Sequence, residues 1–490
     1  MRNATNSMRL GQTSFILFLS KIFGSFLGFV ATIYFARVLG EEVLGQYALV
    51  LTIVAWVGIV SSVGFSGAIE KRISEGDEPD RYLGAGIVIT GGILILATVF
   101  VLLFRSQINA YVGVPVAEFV LLLLFASKLK ALVNASLKGT HLVHVYAVLW
   151  SGKLLTRATA QIALVAIGFG LTGMLYGYAI ASLVTATVGI WVLGLRPARP
   201  TTKHVRSLFD YAKYNWLGGM QGKTFDSVDI AVLGFFVTQG LVGIYSVAWS
   251  LGKFLDVFGR SISSTLFPEM SELSSANDMK AVATLTEDAL SYGGLILIPG
   301  LVGSLVIGDR LLAIYGDGFV AGTEVLVILI AALLIYTYNK QLLNTLNAID
   351  RPNLAFKANG VFIVSNISLN VVLVWQIGWV GAAIATAASA AVSLCLAFRY
   401  SKRVVPFEIP VRECSYQWIA ALLMGAVVEL SREFGERNWG WVQDYNVVFV
   451  VMLVTIGAGI YFATYFAVSQ SFRTTVTNNL PIEVPLVSER

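Results

Sequence analysis

The chain has 490 residues, of which 56% are hydrophobic and 13% charged, and its mean hydropathy is +0.75. A water-soluble chain of this length carries nearer a quarter charged residues, so this composition excludes a soluble protein and points to an integral membrane protein. The formal net charge of +5 does not argue for nucleic acid, because lysine and arginine in membrane proteins sort by topology.

A helix needs about 20 mostly apolar residues to cross a bilayer. Fourteen such segments are predicted, centred near Gly24, Val54, Ile93, Leu124, Thr159, Leu183, Phe225, Leu251, Leu297, Leu333, Ser365, Ala388, Met424 and Ile456. The opening "MRNATNSMRLGQTSF" runs into the first without a small-residue cleavage site, so that span is expected to stay. With the N-terminus inside, 20 of the 34 lysines and arginines fall in inside connections, 5 in outside connections and 9 within spans. That bias places both termini in the cytoplasm. Two cysteines, Cys395 and Cys414, are too few for a disulfide framework and do not resemble a metal site. No catalytic set is apparent.

Two halves resemble each other. "FARVLGEEVLGQYALVLTI" joins spans one and two, "LGFFVTQGLVGIYSVAWSL" joins seven and eight, and each leads into Gly-x-Tyr, at Gly45 to Tyr47 and at Gly243 to Tyr245. "GYAIAS" at Gly177 opens span six, and "GAAIAT" at Gly381 opens span twelve. Matching positions six spans apart imply repeats of one orientation, a transporter arrangement. The expected organisation is an N-terminal six-helix bundle over 1–195, a basic cytoplasmic linker over 196–213, a second bundle over 214–400, and two extra helices with a tail over 401–490. The fold class is thus all-α, with about 14 transmembrane helices and two parallel bundles around a central cavity.

Charges inside spans mark that cavity. "WSLGKFLDVFGRSISSTLF" carries Lys253, Asp256 and Arg260 at i, i+3 and i+7, one face of a helix. Turning three such residues to lipid would cost on the order of 9 kcal/mol, so they must face protein or water. Span five carries Lys153, Arg157 and Gln161, span four Lys130 and Asn134, and span one Lys21. Span seven has Lys223, Asp226 and Asp229, span ten Lys340 and Asn344, and span eleven Asn366 and Asn370. The first half offers Lys21, Lys128, Lys130, Lys153 and Arg157 with no central acid. Cations in a low dielectric need a counter-charge, which points to an anionic ligand, and phosphate or pyrophosphate suits Lys and Arg. Asp226, Asp229 and Asp256 either tune or lock these cations, or couple transport to Na+ or H+.

Six plus six plus two spans with a cationic cavity resemble the polysaccharide-type (Wzx-like) flippases of the multidrug/oligosaccharidyl-lipid/polysaccharide (MOP) exporter superfamily. The resemblance covers essentially the whole chain, through "FARVLGEEVLGQY", "LFPEMSEL", "YGDGFVAGTEVLVIL", "LNAIDRPNLAF" and "GWVGAAIATAAS" in that order. It implies a MATE-like fold in the cell membrane. It also implies alternating access, with a lipid-linked glycan carried from the cytoplasmic to the outer leaflet for polysaccharide or glycan biosynthesis. Lys21, Lys153, Arg157, Lys253 and Arg260 are the candidates for holding the anionic headgroup. Lys223, Lys340, Asn344, Asn366 and Asn370 would add polarity to the cavity walls. The expected partners are the glycan substrate, membrane lipids and glycan-assembly enzymes, with no nucleic acid, no cofactor and a monomeric state. A cation-coupled multidrug exporter of the same superfamily would want acidic walls. A membrane glycosyltransferase or polymerase would want paired carboxylates and large outside loops.

Overall fold

The computed structural model describes the backbone of residues 2–62 and 64–479, and the side chains of residues 27–58, 64–212, 222 and 224–477. Every regular element among them is helical, as the apolar setting requires, since a helix satisfies its backbone groups internally. The helices are α1 (Arg2–Ser62), α2 (Phe65–Ser74), α3 (Pro79–Leu103), α4 (Arg105–Val112), α5 (Ala117–Gly139), α6 (Val143–Ala166), α7 (Gly170–Leu193), α8 (Thr202–Phe236) and α9 (Gln239–Leu255). There follow α10 (Val257–Ser275), α11 (Met279–Gly293), α12 (Leu297–Ala313), α13 (Thr323–Ala348), α14 (Pro352–Ile377), α15 (Trp379–Lys402), α16 (Val411–Asn438), α17 (Asn446–Val468) and α18 (Gln470–Asn479).

All fourteen predicted segment centres fall on helices. Among the described residues, ten helical stretches are long and apolar enough to cross a membrane, or eleven if the bent pair α9 and α10 is one span. The remaining difference has a physical source. Leu27–Gly58 is a single stretch, and α6 and α8 are absent from the apolar set, being the helices that carry Lys153, Arg157, Asp226 and Asp229.

By its internal contacts the chain parts into two compact units, residues 1–247 with 374–379 and residues 248–373 with 380–490. In the first unit, α6 packs along α7 and α7 along α5. Small residues allow these approaches: a Cβ at Gly177 would fall 2.5 Å from Gln161 Cγ, and one at Gly189 2.4 Å from a Val133 methyl. A cluster including Ile69, Leu83, Leu132, Leu137, Ala186 and Leu208 fills the space between α2, α3, α5, α7 and α8.

The predicted connection between spans one and two is a single non-helical residue, Gly40, at φ 77° and ψ 177°, a conformation open to glycine. Just beyond it the two Gly-x-Tyr copies meet back to back. A Cβ at Gly45 would lie 1.7 Å from the Gln239 carbonyl oxygen and 2.9 Å from the Gly243 nitrogen. One at Gly243 would lie 1.9 Å from the Glu41 oxygen and 2.9 Å from the Gly45 nitrogen. The contact is reciprocal, each glycine pressing on the residue four before the other.

The stretch 196–213 is only partly the linker expected of it, because α8 starts at Thr202. The Thr201 hydroxyl and the His204 ring make a capping box there. His204 is buried, with Nε2 2.9 Å from Glu78 Oε2 and its ring edge-on to Tyr82. The Arg196 amide donates to Asp80 Oδ1, the Ala198 amide donates to the Asp80 carbonyl, and Gly84 leaves room for the Ala198 carbonyl. The connection is therefore strapped to the start of α3.

In the second unit, α16 and α17 pack on each other and on α12, with Gly425 facing Val302 and Gly457 facing Met424 and Val428. Val282, Leu342, Leu346, Ala358, Ala397 and Phe407 form part of the core at α11, α13, α14 and α15. Arg432 of α16 grips Asp309 of α12 with two parallel hydrogen bonds, 3.0 and 2.6 Å, while Glu436 accepts from both Arg432 and Arg310.

Candidate functional site

The i, i+4, i+8 spacing of Lys153, Arg157 and Gln161 sets all three on one stripe of α6. Two tyrosines from neighbouring helices form its floor. Arg157 Nη2 donates to Tyr47 Oη at 2.7 Å, and its guanidinium lies 4.8 Å from the centre of the Tyr178 ring and 5.9 Å from that of Tyr47. Lys153 Nζ lies 5.2 Å from the Tyr178 ring centre. Gln161 Nε2 donates to Tyr47 Oη at 2.9 Å and to the Met174 carbonyl at 2.6 Å, tying α1, α6 and α7 together.

The electrostatics of this stripe are one-sided. Lys130 of α5 and Arg157 are both charged neighbours of Lys153. The polar neighbours of Arg157 are the two tyrosines, and among the described residues neither Lys153 nor Arg157 has a carboxylate partner. An aromatic face contributes about 0.5–2 kcal/mol to a cation. It does not neutralise that cation, and guanidinium donors of Arg157 remain for a planar oxyanion. Lys128, on the other side of α5, is buried and donates to the Gly58 carbonyl at 2.6 Å.

Tyr47 and Tyr178 were not among the residues expected from the sequence to build the site. Both lay inside motifs already visible there, the repeated Gly-x-Tyr and the "GYAIAS" entry to span six, but composition alone does not separate a ring under a cation from a ring at a membrane interface.

The other copy of Gly-x-Tyr places an acid. Buried Tyr245 donates its hydroxyl to Asp229 Oδ2, and Asp229 is itself buried. Asp226 sits half-buried nearby on α8.

In the second unit the charged stripe at i, i+3, i+7 does not survive as a straight face. The α9 and α10 axes bend by 45° at Asp256, so Lys253 and Arg260 sit on helices of different direction. Asp256 is 3% exposed; its Oδ2 accepts from Arg260 Nε at 2.6 Å and its Oδ1 from Thr337 Oγ1 at 2.8 Å. Gln341 continues the network, donating to the Gly259 carbonyl at 3.2 Å and accepting from Ser263 Oγ at 2.9 Å. Lys253 Nζ lies 5.1 Å from the Trp249 ring centre.

Lys340 and Asn344 are half-buried on α13. Asn366 and Asn370, expected on a cavity wall, are fully buried instead. Asn366 Nδ2 donates to Thr386 Oγ1 and Ser389 Oγ, each at 3.1 Å, and Asn370 Nδ2 to the Asn366 carbonyl at 3.0 Å. A polar stripe on an apolar helix fits a wet wall or a neighbouring helix equally well, and here α15 supplies the partners of Asn366. The side chains of Lys21 and Lys223 lie outside the described residues.

Comparison with known proteins agrees with this architecture. The family described as "Polysaccharide biosynthesis protein" matches residues 10–274, and "Lipid II flippase MurJ" matches residues 226–450. A Haloferax volcanii protein described as "Probable low-salt glycan biosynthesis flippase Agl15" is 30% identical over 485 residues, 98% of this chain and 100% of that one. The fold is similar to that of the lipid II flippase MurJ in an inward closed conformation, with TM-score 0.78 and 17% identity over 94% of this chain and all of the other. It is also similar to an inward-facing multidrug resistance MATE family transporter of the MOP superfamily, with TM-score 0.63 and 14% identity over 78% and 94% of the two chains.

Proposed function

Because this chain belongs to the polysaccharide biosynthesis protein family, we infer that it is a flippase, a multi-pass membrane protein that carries a lipid-linked glycan across the bilayer. The observation that carries the substrate chemistry is the stripe of Lys153 and Arg157, with Lys130 beside it and Tyr178 beneath. A phosphate or pyrophosphate joining lipid to glycan supplies the counter-charge that Lys153 and Arg157 lack among the described residues, and the flat guanidinium can bind two of its oxygens at once. The acyl or polyprenyl tail has no reason to leave the hydrocarbon, so only the charged linker and the sugars need a polar route.

The family resemblance supports the rest of the reading. Both termini are cytoplasmic, as the lysine and arginine bias favours, and the membrane is the cell membrane. The headgroup enters from the cytoplasmic side and leaves outside by alternating access. The chain performs no bond chemistry on its cargo. The acids are assigned separately. Asp256 locks the bend between α9 and α10, while Asp229 and Asp226 remain the carboxylates for coupling to Na+ or H+.

Reconstituted vesicles bearing a labelled polyprenyl-linked oligosaccharide test this directly. Wild-type protein is expected to move the headgroup, while Lys153→Ala and Arg157→Ala at equal folded amounts slow it at least about tenfold, the effect of roughly 1.4 kcal/mol. Unchanged rates in both variants would remove the stripe from the substrate path. Efflux of a cationic dye with no movement of the glycan lipid would assign the chain to drug export instead.

A further inference from the structure

The reciprocal glycine contact and the tyrosine beneath the cation stripe are two residues apart on α1. Gly45 presses its backbone on Gln239 and Gly243, and Tyr47 accepts hydrogen bonds from Arg157 Nη2 and Gln161 Nε2. Between them lies about 3 Å of helical rise, too short to absorb a displacement. Backbone meets backbone at the seam, with no side chain to rearrange, so an opening in which the α1 side moves carries Tyr47 with it. Gly40, the break in α1, lies just before the seam and is the nearest backbone pivot for this segment.

We propose that Tyr47 is a positioning residue through which closure of the Gly45–Gly243 seam presents Arg157 to the anionic ligand. With the seam closed, the guanidinium is held between the Tyr47 hydroxyl and the Tyr178 ring, with its remaining donors pointed in a fixed plane. With the seam open, Tyr47 withdraws and Arg157 keeps only the ring of α7. The other copy has the same layout with the opposite charge, Gly243 leading to Tyr245 and Tyr245 to Asp229. Closure and anion binding are then linked, each favouring the other by the same factor. On the orientation inferred above, the seam lies toward the outer side, where closure must accompany entry of the anion from within. The inference rests on the functional reading only for the nature of the anion.

The test reads the seam itself. Glu41→Cys and Gly240→Cys, in a Cys395→Ser, Cys414→Ser background, place two thiols at a contact where a Cβ on Gly240 would lie 3.3 Å from Glu41 Cγ. The rate of disulfide formation is measured in nanodiscs with inorganic pyrophosphate as the probe and sodium chloride at matched ionic strength as control. Pyrophosphate is expected to raise the rate about fivefold, the lower end of ordinary coupling between sites. Tyr47→Phe keeps the ring and removes the hydroxyl. It is expected to lower the basal rate, because both hydrogen bonds to the hydroxyl belong to the closed seam, and to abolish the response, as Arg157→Gln does. A response that survives Tyr47→Phe, or no response in the parent, overturns the proposal. The same preparations are assayed for glycan-lipid movement. A pyrophosphate response without movement would overturn the substrate and keep the seam; movement without a response would do the reverse.

Discussion

Asp256 provides the sharpest separation between a structural charge and a coupling charge. Replacing it with alanine removes two hydrogen bonds at the bend of α9 and α10, from Arg260 Nε at 2.6 Å and from Thr337 Oγ1 at 2.8 Å. The arginine is 45% exposed, so its share is that of a partly solvated pair, up to about 1 kcal/mol. Thr337 is 1% exposed, and a buried hydroxyl that loses its acceptor costs about 1–3 kcal/mol. Asp256→Ala is therefore expected to lose about 1–4 kcal/mol, and Asp256→Asn, which still accepts from Thr337, up to about 1 kcal/mol. Thermal unfolding in detergent gives the loss, and the cycle of Asp256→Asn with Arg260→Gln gives the coupling, expected at about 0.5–1 kcal/mol. Glycan-lipid movement by Asp256→Asn is expected to stay near the wild-type rate. A stability unchanged in Asp256→Ala, or transport lost in Asp256→Asn without loss of stability, would refute the lock and return this carboxylate to ion coupling.

Gly177→Ala is expected to cost about 1–3 kcal/mol, because its Cβ would fall 2.5 Å from Gln161 Cγ and 2.8 Å from the Gln161 nitrogen; a melting curve like the wild type's would show that α6 and α7 give way easily. Asn366→Leu removes two interhelical bonds to α15 and is expected to lower unfolding stability by about 1 kcal/mol, since such bonds average about 0.6 each in membranes. Glu78→Gln weakens the hold on His204 by about 1 kcal/mol, so limited proteolysis between residues 194 and 201 should run roughly fivefold faster. Equal cleavage rates would mean that Asp80 and Gly84 hold the strap alone.

The fold was largely legible because lipid imposes one simple rule. Stretches of about 20 apolar residues become helices, and the segment centres fell accordingly. The cation stripe of α6 was legible for the same reason, since spacing on an unbroken helix fixes a face. Two things were not. The stripe at Lys253, Asp256 and Arg260 assumed a straight helix, and nothing in "GKFLDVFGR" marks a bend without proline or glycine at Asp256. The amides of Asn366 and Asn370 were assigned to a cavity wall because period alone does not say whether the polar side meets water or another helix. The Gly-x-Tyr repeat was visible as a repeat, but that its two copies touch is a long-range fact, carried by residues 198 positions apart.

That contact also bears on how the sequence can change. At most packed positions an enlargement on one side can be offset by a reduction on the other. Gly45 and Gly243 already stand at the smallest side chain available, so neither has anything left to give up. A mutation at either has no compensating partner across the seam, and recovery would require shifting a whole helix. The pair should therefore behave in a mutational screen as two sites that fail singly and are never rescued by one another.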